Sequence, residues 1–181
     1  MSFRKSRLFS QRAARRGQAM VELALSLGVF MLVIGGILQF GVILWSQNAV
    51  TEVARETARW AVTQSTTPCD SATHRGNVAG AADEIARRAS LVGYTPALWS
   101  SAPSISAMSD EGVGVDWEVP TGLTPADCPP SHNDKEVFVR VRISHAVPIF
   151  MPGLQFIAPP CSVPGFCVSS TTELRMEPKA P

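Results

Sequence analysis

Glu22 is the residue of this chain that most needs a chemical partner. It directly precedes Leu23–Trp45, twenty-three residues without a charged side chain. An ionised carboxylate at the rim of such a stretch is costly unless a cation, or headgroups and water, attend it. The other reactive residue types form no recognised constellation. His74, His132 and His145 fall in no catalytic or metal-ligand spacing, and no G-x-S-x-G or phosphate-binding loop occurs. Asp83-Glu84 and Asp110-Glu111 are neighbours in sequence, so their side chains diverge and read as solvated faces rather than an acid/base pair. The sequence therefore points to no enzyme, no cofactor and no metal.

Cys69, Cys128, Cys161 and Cys167 all follow the apolar stretch. An even cysteine count in an oxidising compartment reads as two disulfides, and four cysteines allow three pairings. Cys161 with Cys167 would close a short Pro/Gly loop, leaving Cys69 with Cys128. A zinc site is the competing reading, but C-x-x-C and H-x3–5-H spacings are absent.

The element that must position Glu22 is a membrane helix. At about 1.5 Å per residue, Leu23–Trp45 is long enough to cross a roughly 30 Å hydrocarbon core. Its fourteen Leu, Ile, Val and Phe residues contribute roughly −4 to −8 kcal/mol to insertion, more than the cost of one edge carboxylate. Arg4, Lys5, Arg7, Arg12, Arg15 and Arg16, with no acid among residues 1–17, hold the N-terminus in the cytoplasm and place the rest across an inner membrane. A removable secretory signal is the alternative. Against it, the run exceeds the usual apolar length and Ser46-Gln47-Asn48-Ala49 offers no small-x-small site. The chain carries +1 in total and the leader supplies six positive charges, so residues 18–181 carry −5. No basic surface suited to nucleic acid remains.

The helical pattern continues past the apolar stretch. Val50, Val53, Ala54, Thr57, Ala58 and Ala61 recur at helical spacing, and no Pro or Gly interrupts Val42 to Thr67. One helix from about Gln18 to about Thr63 is expected. Within it Ala24 and Gly28 form a small-xxx-small pair and Gly35 lies near the same face, a seam at which a second helix can approach.

Gly17-Gln18-Ala19-Met20-Val21-Glu22-Leu23-Ala24-Leu25, the long apolar run, and Ala54-Arg55-Glu56-Thr57-Ala58-Arg59-Trp60-Ala61 together resemble the TadE-like family. Its members are minor pseudopilins of the tight-adherence (Flp pilus) machinery. Thr57 stands where that family usually has glycine, and Leu23 follows Glu22 where major Flp pilins carry tyrosine, which fits the minor subunit. The resemblance implies that a prepilin peptidase cuts after Gly17 on the cytoplasmic face and leaves Gln18 as the new N-terminus. A glycine there lets the backbone enter a peptidase cleft without a side chain in the way. It further implies that Glu22 pairs with the freed α-amine of a neighbouring subunit. The implied partners are other Tad pseudopilins, the Flp major pilin, the inner-membrane assembly platform and membrane lipid.

Beyond the helix the chain reads as an α+β head, residues 65–181, behind a leader (1–17), a transmembrane helix (18–45) and its outer extension (46–64). Val78, Ala82, Ile85, Ala89 and Val92 predict a second helix over about 77–92, ended by Gly93. Val113, Val115, Trp117 and Val119 alternate as a strand, with Ser104 to Met108 as a candidate partner. Val137, Val139, Val141 and Ile143 form the clearest strand, and Ser169–Glu177 another. Residues 120–134 are Pro-rich and polar. Residues 148–167 are apolar and broken by prolines, so they are either tucked under the sheet or offered to a partner. Two functional readings stand: a processed minor pseudopilin that helps assemble or prime a Flp-type pilus, or a permanently anchored single-span protein whose outer domain binds a ligand.

Overall fold

The computed structural model describes residues 5–63, 71–118, 138–151 and 165–176. Helix α1 runs unbroken over Lys5–Thr63 and α2 over Ser71–Arg88. Strands β1 (Gly112–Glu118), β2 (Phe138–Val147) and β3 (Phe166–Arg175) form one antiparallel sheet in the order β1-β2-β3. The architecture is α+β, as expected. The chain divides into two compact units, Met1–Phe40 and Gly41–Pro181.

The first unit contains only the early part of α1. That helix begins at Lys5 rather than near Gln18. Residues 5–16 contain no proline and include four arginines and two alanines, good helix formers, and Gly17 alone, at about 1 kcal/mol, does not break it. From Gln18 onward α1 is long and apolar enough to cross a membrane.

The second unit holds the core. Val50, Val53, Ala54, Ala58 and Ala61 of α1 are buried with Val78, Ala79, Ala82 and Ala86 of α2, and with Val113, Val115, Val139, Val141, Ile143, Val147 and Val168 of the sheet. The helical spacing read from Val50 to Ala61 therefore marks the buried face of α1. Alanine dominates both helices, and valine and isoleucine fill the sheet, as their β-branched shape favours.

Several boundaries differ from expectation. Helix α2 starts six residues before Asn77 and stops at Arg88. Ser90 takes the left-handed conformation at φ 52°, so the helix turns off before reaching Gly93. Leu91 then folds back into the core and Val92 leaves the helix. Gly93 is itself left-handed (φ 83°), and an added Cβ would lie 3.1 Å from Pro148 Cδ. Ser104–Met108 is not a strand but contains a short 3-10 turn, Ile105–Ala107. Pro103 has no N–H for a ladder, so this segment binds the β1 edge by single bonds. Val115 N–H donates to Pro103 O at 2.9 Å, and Ile105 N–H donates to the Asp116 carboxylate at 3.2 Å. The last strand begins at Phe166, three residues earlier than expected. Val119, Val137 and Glu177, at the ends of the expected strands, lie outside the described residues.

Candidate functional site

Gly17, Gln18 and Glu22 lie within α1, and the Glu22 side chain is exposed. Ala24 and Gly28 are exposed too, Gly35 is half-buried, and an added Cβ at Gly28 would meet nothing within 4 Å. At about 100° per residue Ala24, Gly28 and Gly35 fall on one side of the helix, and Glu22 falls nearly opposite. The helix thus carries an acid on one face and small residues on the other. Large apolar side chains cover the rest, Met20, Leu25, Phe30 and Leu38 among them, all exposed. A surface of that kind is compatible with lipid or with other helices, not with water.

The head contains a polar cluster that the sequence reading missed. Glu111 is buried and so is His145, against the expectation that Asp110-Glu111 forms a solvated face. His145 Nδ1 lies 2.7 Å from Glu111 Oε1, and His145 Nε2 lies 2.9 Å from the carbonyl oxygen of Val92. The Glu111 carboxylate also accepts from Trp99 Nε1–H at 3.1 Å and from the Ala146 N–H at 2.6 Å. A carbonyl can only accept, so Nε2 carries a proton. The carboxylate already faces two further donors, an arrangement that favours donation from Nδ1–H as well. Burial pulls the His145 pKa down, but the hydrogen bond and charge of Glu111, helped by the Val92 carbonyl, leave it raised above the ordinary value. Every polar atom of the pair is spent on holding the 90–99 segment, the start of β1 and the end of β2 together. That use is structural.

Asp83 departs from the solvated reading as well. It is half-buried and accepts from the Tyr94 hydroxyl and from Arg87, while Glu84 stays exposed and pairs with Arg88 at 3.0 Å. Tyr94 in turn packs on Trp99 at 5.5 Å. His74 is buried on α2, tilted against Trp117 at 5.4 Å, and His132 lies outside the described residues.

An open pocket of about 440 Å³ is lined by Arg75, Asp116, Trp117 and Arg140. Arg75 stacks 5.0 Å from the Trp117 ring centre and lies 3.7 Å from Asp116, and Arg140 pairs with Glu173 at 2.9 Å. An anionic ligand there has to displace acids already in place. Of the cysteines, Cys167 is disulfide-bonded, and Cys69, Cys128 and Cys161 lie outside the described residues. Among the described residues no three His, Cys, Asp or Glu gather as metal ligands.

Residues 17–59 match the family model described as TadE-like protein, which bears out the resemblance read from the sequence. The matched stretch starts at Gly17, includes the whole uncharged run and ends at Arg59, just past the buried Thr57 and Ala58. No curated protein and no solved structure matches the chain.

Proposed function

We propose that this protein, with its TadE-like segment over residues 17–59, is a minor pseudopilin of a Flp-type, tight-adherence pilus. The observation that carries the reading is where that segment lies. It takes in the Gly17–Gln18 junction, the charge-free helix and the first layer of the head core, and a Tad-system role connects these three.

The basic leader holds the precursor at the anionic cytoplasmic leaflet, where a prepilin peptidase removes residues 1–17. The amine freed at Gln18 neutralises Glu22 of a neighbouring subunit and sets the axial register between helices. The Ala24–Gly28–Gly35 seam takes a second helix by close backbone approach. The head lies beyond the inner membrane, where Cys161–Cys167 and Cys69–Cys128 bridge it, and it selects partners during assembly or priming. The chain is a substrate of processing chemistry and performs none.

Co-purification tests this. The mature protein is expected in sheared fibres together with the Flp major pilin, or bound to the assembly platform that makes them. A Glu22→Ala variant is expected to insert normally and to lower fibre yield; unchanged piliation would remove the register role. The open Arg75–Trp117 pocket favours a second reading, a permanently anchored protein whose head binds a ligand. That reading predicts normal piliation without the protein.

A further inference from the structure

The two ends of the head differ in chemistry, and its contacts fix which end α1 enters. Gln47 Nε2–H donates to Ser169 O at 3.3 Å. Ser169 pairs with Ser144, and Ser144 with Gly112, so this level of the sheet lies two residues beyond Trp45. On α1, contact with the core runs from Val42 to Val62, roughly 8 Å before Gln47 and roughly 22 Å after it. On β3, Phe166 lies roughly 10 Å from Ser169 and Arg175 roughly 20 Å the other way. The lengths match in one sense only: β3 runs away from the apolar stretch. The end of β2 at Val147 and the start of β3 at Phe166 therefore lie where α1 enters. The order of the helices agrees, since α2 begins at Ser71, soon after Thr63, and its Arg75 reaches Asp116 and Trp117 at the opposite end.

The entry end carries the exposed apolar side chains of the head. Outside α1, the large hydrophobic side chains exposed among the described residues are Val92 (37%), Leu98 (43%) and Phe150 (68%). All three belong to this end. The Val92 carbonyl is bound by His145, the Leu98 carbonyl lies 2.6 Å from where a Cβ on Gly112 would sit, and Phe150 follows β2 directly. The acids nearby on α2, Asp83 and Glu84, are paired with Arg87 and Arg88. The opposite end carries Arg75, Asp116, Arg140, Glu173 and Arg175. Val42 and Ile43 belong to the charge-free stretch and also pack on the head core, so the core reaches the level where that stretch ends.

We propose that the entry end of the head, through Val92, Leu98 and Phe150, rests in the interfacial layer of the membrane that holds α1. Apolar side chains placed at that depth are stabilised as those of interfacial helices are, and Trp45 marks the same level as an interfacial aromatic. This surface docks the head on lipid before assembly and must be given up when the subunit leaves the bilayer. The inference rests on reading α1 as a membrane span.

The test uses the full chain in phosphatidylcholine/phosphatidylglycerol vesicles, with and without bromine on the acyl chains. The emission gained by Phe150→Trp is compared with that lost in Trp45→Phe. The bromolipids are expected to quench both signals, and a Thr171→Trp control on the exposed sheet face is expected to keep its emission. If the Trp45 signal is quenched while the Phe150→Trp signal yields only to aqueous iodide, docking is wrong and the span stands. If neither is quenched by bromolipid, the span reading fails and docking with it. Protection of the Phe150→Trp signal from both quenchers would assign the surface to protein instead and overturn the proposal.

Discussion

His145 and Glu111 make head stability depend on pH in a definite direction. The unfolded histidine titrates near its ordinary value of about 6.5, and the folded one is raised above it. Stability from this pair is therefore fully present below about pH 6.5 and is lost as pH rises through the folded value. Thermal melts of the full chain in detergent should show a midpoint that falls on the alkaline side, and His145→Gln should flatten that dependence. Glu111→Ala should cost about 1–3 kcal/mol or more, because it leaves the buried Trp99 Nε1–H and the Ala146 N–H without their shared acceptor; a loss below about 1 kcal/mol would contradict that role. Gly112 makes a steric prediction of the same scale. Its φ of 119° and the Leu98 carbonyl 2.6 Å from an added Cβ mean that Gly112→Ala should destabilise by more than about 1 kcal/mol. None of this was legible in the sequence. Glu111 and His145 are thirty-four residues apart, and only the β1–β2 register and the 90–99 turn bring them together. An adjacent acid such as Asp110-Glu111 reads as solvated because local spacing carries no information on a partner so distant in the chain.

Elements with a strong period were legible. Positions 50, 53, 54, 57, 58 and 61 were expected to form one face of α1, and all six are buried. The alternation from Val139 to Ile143 likewise marks the buried side of β2. Periodicity failed where a backbone turn overrode it. Val92 continues the apolar rhythm of α2, yet Ser90 turns the chain and the Val92 carbonyl goes to His145. Thr57, where the family usually has glycine, is fully buried with no hydrogen-bond partner for its hydroxyl. Thr57→Val keeps the shape and removes that unsatisfied group, so it should raise stability by about 1 kcal/mol in denaturant titration. In the anchor, Glu22 and the Gly28 seam lie on nearly opposite sides of α1. Glu22→Ala and Gly28→Leu should therefore impair fibre incorporation independently, with the double variant worse than either. Equal loss in all three would show one shared contact.

At the scale of the whole molecule, the leader and the rest of the chain have opposite charge. The six cations of residues 1–17 sit ahead of a stretch with no charge, and residues 18–181 carry −5. Under the proposed function, that asymmetry suits a precursor held at an anionic leaflet until it is cut. The most direct measurement is intact-mass analysis of the membrane form from cells with an active prepilin peptidase. The account predicts a chain that begins at Gln18. A chain that still begins at Met1 would contradict it and leave a permanent anchor in its place.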